Sequence, residues 1–256
     1  CVIRDTHLNG IKIQMSFGVV MRDMVFSNMV MDNVTGPISI RLAGWKLGAG
    51  NIWAVFDDSN WEKGQLRNIL FDNIRARVPA DQIKSCISIT GTPKTKPRGI
   101  TFSNVDVTFP GGGTAQEAAR RQVPDLERDY PECFIFGILP AYGLYAHHAQ
   151  DITLNNVRFR LEGEDLRPAI VCDDVQDLEL AGLKADGHPK AESLLRFQDT
   201  EQALVTGARV LNPLAAFLRV EGGRSHRIVL KANDLTPAGK AVTTCDKVTA
   251  GAVSTD

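Results

Sequence analysis

Four groups of side chains in this sequence have types and spacings that chemistry uses. They are the pairs Asp57 and Asp58, Asp173 and Asp174, and His147 and His148, and the run Gly111, Gly112 and Gly113. Paired carboxylates can divide acid and base work, imidazoles move protons or ligate metals, and glycine runs can cradle phosphates. The local setting weakens each of these readings. Neighbours on a strand point to opposite faces, so each Asp pair offers one carboxylate to any groove. Asp173 and Asp174 also follow the apolar run AIVC, where a turn-forming Asp is ordinary. No Asp or Cys stands at ligand or triad spacing from the two histidines, and strand alternation predicts one ring at the surface and the other facing the coil. The glycine run lacks the Lys and Ser or Thr that complete a phosphate loop, and reads as a flexible turn. Neither a metal nor a cofactor is expected.

The elements that carry these residues follow from a repeat. An apolar pair two residues apart, then Asn or Gly, then a second alternating stretch recurs as MVFSNMVM, ILFDNIRA, ITFSNVDV, ITLNNVRF, LELAGLKA, ALVTGARV and IVLKANDL. The marker positions are Asn28, Asn73, Asn104, Asn156, Gly182, Gly207 and Ala232, and the last four are 25 or 26 residues apart. Alternation with period two puts Ile100 and Phe102 on one face and Thr101 and Ser103 on the other, which is strand chemistry. The inward set resumes after the marker with Val105, Val107 and Phe109, so the marker sits at a bend, where Asn and Gly tolerate left-handed backbone and a buried Asn can satisfy turn groups. A further strand precedes most copies: PISI, CISI, GLYA, AIVC, LLRF and FLRV. Three short strands per period predict an all-β chain, a right-handed parallel β-helix forming one domain over residues 1–256. An antiparallel sandwich predicts no constant period, and a leucine-rich repeat would need its helix and its Leu spacing.

One segment, TAQEAARRQVPDLERDYPE at 114–132, breaks the pattern. Thr114 with Glu117 three residues on has the capping-box form, so a short helical insertion is expected. It reads equally as a lid over a groove or as a solvated excursion. The five cysteines, Cys1, Cys86, Cys133, Cys172 and Cys245, form neither a disulfide framework nor a paired zinc pattern, and Cys86 and Cys172 fall in core strands.

Composition narrows the partners. Lys and Arg number 29 against 30 Asp and Glu, so the global positive field that nucleic-acid binding relies on is missing. No stretch reaches the roughly 20 apolar residues of a membrane-spanning helix. The opening on Cys1, already inside the strand-like CVIRD, suggests a fragment or a processed product. Oligomeric state is left open by these residues.

The stretch NGIKIQMSFGVVMRDMVFSNMVMDNV, from Asn9 to Val34, resembles glycoside hydrolase family 28, the polygalacturonase family, where a Gly-x-Arg-Ile-Lys strand precedes a coil of this type. Lys12 stands where that family has Arg, and Gln14 where it has Lys. The runs CISITGTP, VTFPGGGT and YPECFIFGILPAYGLYAHHAQDITLNNVRF extend the resemblance over nearly the whole chain. It implies a secreted or periplasmic bacterial enzyme that hydrolyses α-linked galacturonate in pectic polysaccharide or oligogalacturonides with inversion. Inversion uses two carboxyls with room for a water between them. The family's acids lie in Asn-x-Asp and Asp-Asp motifs ahead of the Arg-Ile-Lys strand. The resemblance therefore places the catalytic residues upstream of Cys1 and none in this chain.

The substrate contacts expected here are Lys12, Gln14, Trp45 and His148. Lys12 would pair with a galacturonate carboxylate, though without the planar fork of Arg. Gln14 replaces a second cation, Trp45 in IRLAGWK could stack on a sugar ring, and His148 would be a minor contact. A non-catalytic β-helix that binds polysaccharide or serves as a structural module is the alternative. A pectate lyase ranks last, since no strand carries the acidic cluster of a calcium cage.

Overall fold

The structure is a computed structural model that describes residues 1–44, 60–82, 85–129 and 134–255. Trp45, Asp57, Asp58 and Cys133 lie outside the described residues. Strands pair in parallel throughout, coil upon coil, so the chain is a parallel β-helix with three faces. The first face stacks Ile11–Met15, Ile38–Leu42, Ile87–Thr90, the start of Leu144–Asn155, the start of Ile170–Ala181, Leu195–Gln198 and Leu214–Glu221. The second runs through the central parts of Val20–Val34, Gln65–Arg77 and Arg98–Phe109 to Glu201–Thr206 and His226–Lys231. The third collects Val2–Thr6, the ends of those long strands, and Arg158–Leu161.

Register explains why the apolar pattern works. Phe26, Phe71, Phe102, Leu154, Leu180, Val205 and Leu230 occupy one column through successive coils. The three phenylalanines stack nearly parallel, with centroids 5.3 and 4.9 Å apart and planes within 13° and 11°. That spacing follows the distance between neighbouring strands, so each ring gains both burial and an aromatic neighbour. From Phe71 onward the column is nearly solvent-free, because coils cover it on both sides.

All seven marker positions have positive φ, between 51° and 70°: Asn28, Asn73, Asn104, Asn156, Gly182, Gly207 and Ala232. A second left-handed position precedes each marker by five residues, at Asp23, Asn68, Gly99, Asp151, Asp177, Gln202 and Arg227. The chain thus bends where the repeat predicts, but the marker asparagines are exposed rather than buried. They bond to one another along the outside: Asn73 Nδ2 donates to Asn28 Oδ1 at 2.7 Å and Asn156 Nδ2 to Asn104 Oδ1 at 2.8 Å. The bend turns these side chains outward, and the equal phase of each coil lines them up.

The first coil differs from those that follow. Met21, Met24, Phe26 and Met29 face inward yet are only partly buried, and Val25 on the same strand is 65% exposed. Over Val20–Phe26 the strand pairs with Gln65–Arg77 on one side, and among the described residues no strand pairs its other edge. Cys86 and Cys172 are buried in the core, as expected. The helix of the insertion is one turn, Ala115–Ala118, with the reciprocal Thr114 and Glu117 capping box in place.

The bend chemistry is open to test. Asn104→Gly should leave the urea unfolding midpoint nearly unchanged, whereas Asn104→Ala should cost roughly 1–2 kcal/mol, because alanine pays the left-handed penalty and loses the ladder bond. Equal costs for the two variants would show that the side-chain ladder, not the backbone conformation, dominates.

Candidate functional site

The outer side of the first face carries a strip of polar residues in register. One column runs Gln14, Arg41, Thr90, His147, Asp173, Gln198 and Glu221. Lys12 begins the adjacent column, with Ser39, Ser88 and Tyr145 following it. Of the expected contacts, Lys12 and Gln14 therefore sit in these two columns, and His148 stands at the corner that follows His147. Lys12 is exposed and Gln14 half-buried near the first coil, while His148 lies coils away.

The insertion covers part of this strip, so it is not a solvated excursion. At its base, Arg167 and Asp165 form a fully buried bidentate pair, with nitrogen to oxygen distances of 3.0 and 2.7 Å. The Gly113 N–H donates to Asp165 Oδ2 at 3.0 Å, and a Cβ at Gly113 would sit 2.1 Å from Arg167 Nε. The expected flexible glycine turn is thus a tightly seated one, since only glycine lets the backbone approach this buried pair. Further along, Arg121 grips Glu221 at 2.7 and 3.0 Å and Glu192 at 2.6 Å. Arg196, 1% exposed, donates to the Ala118 and Arg120 carbonyls, and Arg41 donates to those of Asp125 and Leu126. Burial pushes the Arg41 guanidinium down to about 10, against the opposing charges of Asp129 and Asp125.

Beneath the insertion sit the two histidines. His148 has φ 49°, a left-handed corner, and that corner swings its ring to the same side as His147, with ring centroids 3.8 Å apart. Simple strand alternation fails here, so the expectation of one outward and one coil-facing ring is corrected. Asp174 repeats the corner with φ 53°, which brings both members of the Asp173 and Asp174 pair into the strip as well. His147 Nδ1 lies 3.1 Å from Asp173 Oδ2, and His148 Nδ1 lies 2.6 Å from Asp174 Oδ2. Both Nε2 atoms converge on Asp125 Oδ1, at 3.1 and 3.0 Å. The histidines therefore do have acidic partners, three of them, none at a recognisable sequence spacing for a metal or triad motif. His147 and Asp173 are 26 residues apart, one full coil, and that period is the signal that could have joined them.

The electrostatics define what this cluster can do. Burial opposes charge on His147, but hydrogen bonds and charge from Asp173 and then Asp125 outweigh it, and its pKa is raised. Asp174 is held well below the usual carboxylate range, chiefly by the bond from His148, against burial, with help from Lys96 and Arg224. Lys96 Nζ and Arg224 Nη1 each lie 2.7 Å from it. Glu221 is also lowered: burial alone would raise it, but Arg121 and Arg219 prevail. A general acid needs a proton to give near the working pH, and Asp174 and Glu221 are driven the other way. These carboxylates bind and orient.

An open depression of about 440 Å³ adjoins the far end of the strip, lined by Gln198, Asp199, Glu221, Gly222 and Lys247 among others. Fold and site together define an all-β parallel solenoid with a strapped polar face. Comparison with family models, curated proteins and solved structures found no match for this chain. Among the described residues no helix is long and apolar enough to cross a membrane.

Because the folded pKa of Glu221 is depressed, its contribution is present above the ordinary value of 4.5 and is lost as pH falls through the folded value. Glu221→Gln should therefore lower the unfolding midpoint more at pH 7 than at pH 3. A loss of equal size at both pH values would mean that shape, not charge, holds the strap there.

Proposed function

We propose that this chain is the carboxyl-side part of an inverting, polygalacturonase-like glycoside hydrolase acting on pectic polysaccharide, with its catalytic acids on coils that stack ahead of Val2–Thr6. The observation that carries this reading is the first coil. Its inward Met21, Met24 and Phe26 are only half covered, and the edge of Ile11–Met15 away from Ile38–Leu42 pairs with no strand among the described residues. A further coil on that edge would place its outward side chains about 4.8 Å from Lys12 and Gln14, in the same two columns. Lys12 and Gln14 would then flank the acids and receive the galacturonate carboxylate and hydroxyls. The strip's own carboxylates are committed to cations and histidines, which is why the acids are sought elsewhere. A secreted or periplasmic location goes with such a substrate.

The competing reading is a polysaccharide-binding or structural β-helix without catalysis, favoured by that same commitment of the strip's carboxylates, among the described residues, to partners. Reducing-sugar release from polygalacturonate separates the two. The 256-residue chain should release none, and a protein carrying the additional coils should release it with inverted product. Hydrolysis by the 256-residue chain alone would overturn the placement of the acids, and an inactive longer protein would leave the binding module as the function. In the longer protein, Lys12→Ala should weaken oligogalacturonate binding roughly fivefold, about 1 kcal/mol, with no change for a neutral oligosaccharide.

A further inference from the structure

We propose that His147, His148 and Asp125 form a binding site for a divalent transition-metal ion, Zn2+ foremost, that fastens the insertion to the solenoid. This site is independent of the pectic reading.

Three features of the geometry carry the inference. His147 Nε2, His148 Nε2 and an Asp125 carboxylate oxygen lie within 4.8 Å of one another. Metal to ligand bonds of 2.0–2.1 Å at a tetrahedral angle would set each nitrogen roughly 3.3 Å from the oxygen. The observed separations are 3.1 and 3.0 Å, within a few tenths of an ångström of that spacing, and an ion there would replace the two Nε2 protons.

The outward side of each imidazole is prepared as metal sites require. His147 Nδ1 is held by Asp173 and His148 Nδ1 by Asp174, and each aspartate is itself anchored. Gln198 Nε2 donates to Asp173 at 3.1 Å, while Lys96 and Arg224 hold Asp174. A carboxylate on Nδ1 sets the tautomer that leaves the Nε2 lone pair for the metal and strengthens it as a donor. Both rings carry this support, and both aim at one point.

The donor set selects the kind of ion. Two imidazoles and one carboxylate suit zinc and its neighbours, whereas calcium and magnesium ask for oxygen cages. Three protein ligands leave a fourth position for water. The consequence is mechanical: Asp125 belongs to the insertion, the histidines to the solenoid, and a bound ion joins the two.

Calorimetric titration of the 256-residue chain with Zn2+ alone tests the site. One equivalent should bind and raise the thermal midpoint, and Ca2+ should not compete. His148→Ala and Asp125→Ala should each weaken Zn2+ binding more than tenfold, and Asp174→Asn, acting through His148, about tenfold. Because these variants risk loosening the insertion, a second measurement uses Co2+ with His148→Cys, which keeps a ligand. A thiolate-to-cobalt charge-transfer band, absent from the wild type, is expected. Zn2+ affinity unchanged in His148→Ala and Asp125→Ala, or a His148→Cys cobalt spectrum identical to that of wild type, would overturn the site.

Discussion

No coil of this solenoid can bury its own inward side chains, and that constraint orders everything else. A single turn of three short strands encloses too little volume to be a core, so each apolar residue finds its partners one coil above and one below. The Phe26, Phe71 and Phe102 stack makes the point in one column. Any shift of register by one residue would turn an inward set outward, so the apolar columns hold the strand pairing in place. The first coil, covered on one side over Val20–Phe26, pays for its position with half-exposed methionines.

The same register acts on the outer surface, where burial does not discipline the choice of residue. Side chains one coil apart become neighbours whatever their chemistry. The asparagine ladder is the mild result, and the His147, His148, Asp173 and Asp174 square is the consequential one. Stacked outward columns thus concentrate charge, and the fold must compensate it. Here the compensation comes from Lys96, Arg224 and, across the strip, the guanidinium groups of Arg121 and Arg219.

The insertion links these two layers of organisation. Its base rests on a buried Asp165 and Arg167 pair that neither water nor salt screens, and its far part is held by polar contacts with the strip. Breaking the first leaves a buried charge without its partner, which is costly, and the same holds for the buried Arg41 and Arg196 that grip the insertion's backbone. The segment is therefore held at both ends, by the buried pair at its base and, over the histidines, by Arg41 and the imidazoles that meet Asp125.

The sequence by itself determined the solenoid. Period-two alternation, a marker every 25 or 26 residues, and Asn or Gly at that marker reflect local preferences of strands and left-handed bends, which a chain carries before it folds. The capping box of Thr114 and Glu117 was legible for the same reason. Only the tertiary structure decided the polar site. His148 and Asp174 adopt left-handed corners although neither is Asn or Gly, and those corners turn neighbouring side chains to one side, against the alternation that governs the rest of each strand. Asp125 reaches them because the insertion folds back over the face, a contact set by the closing of the chain in space and not by any spacing along it.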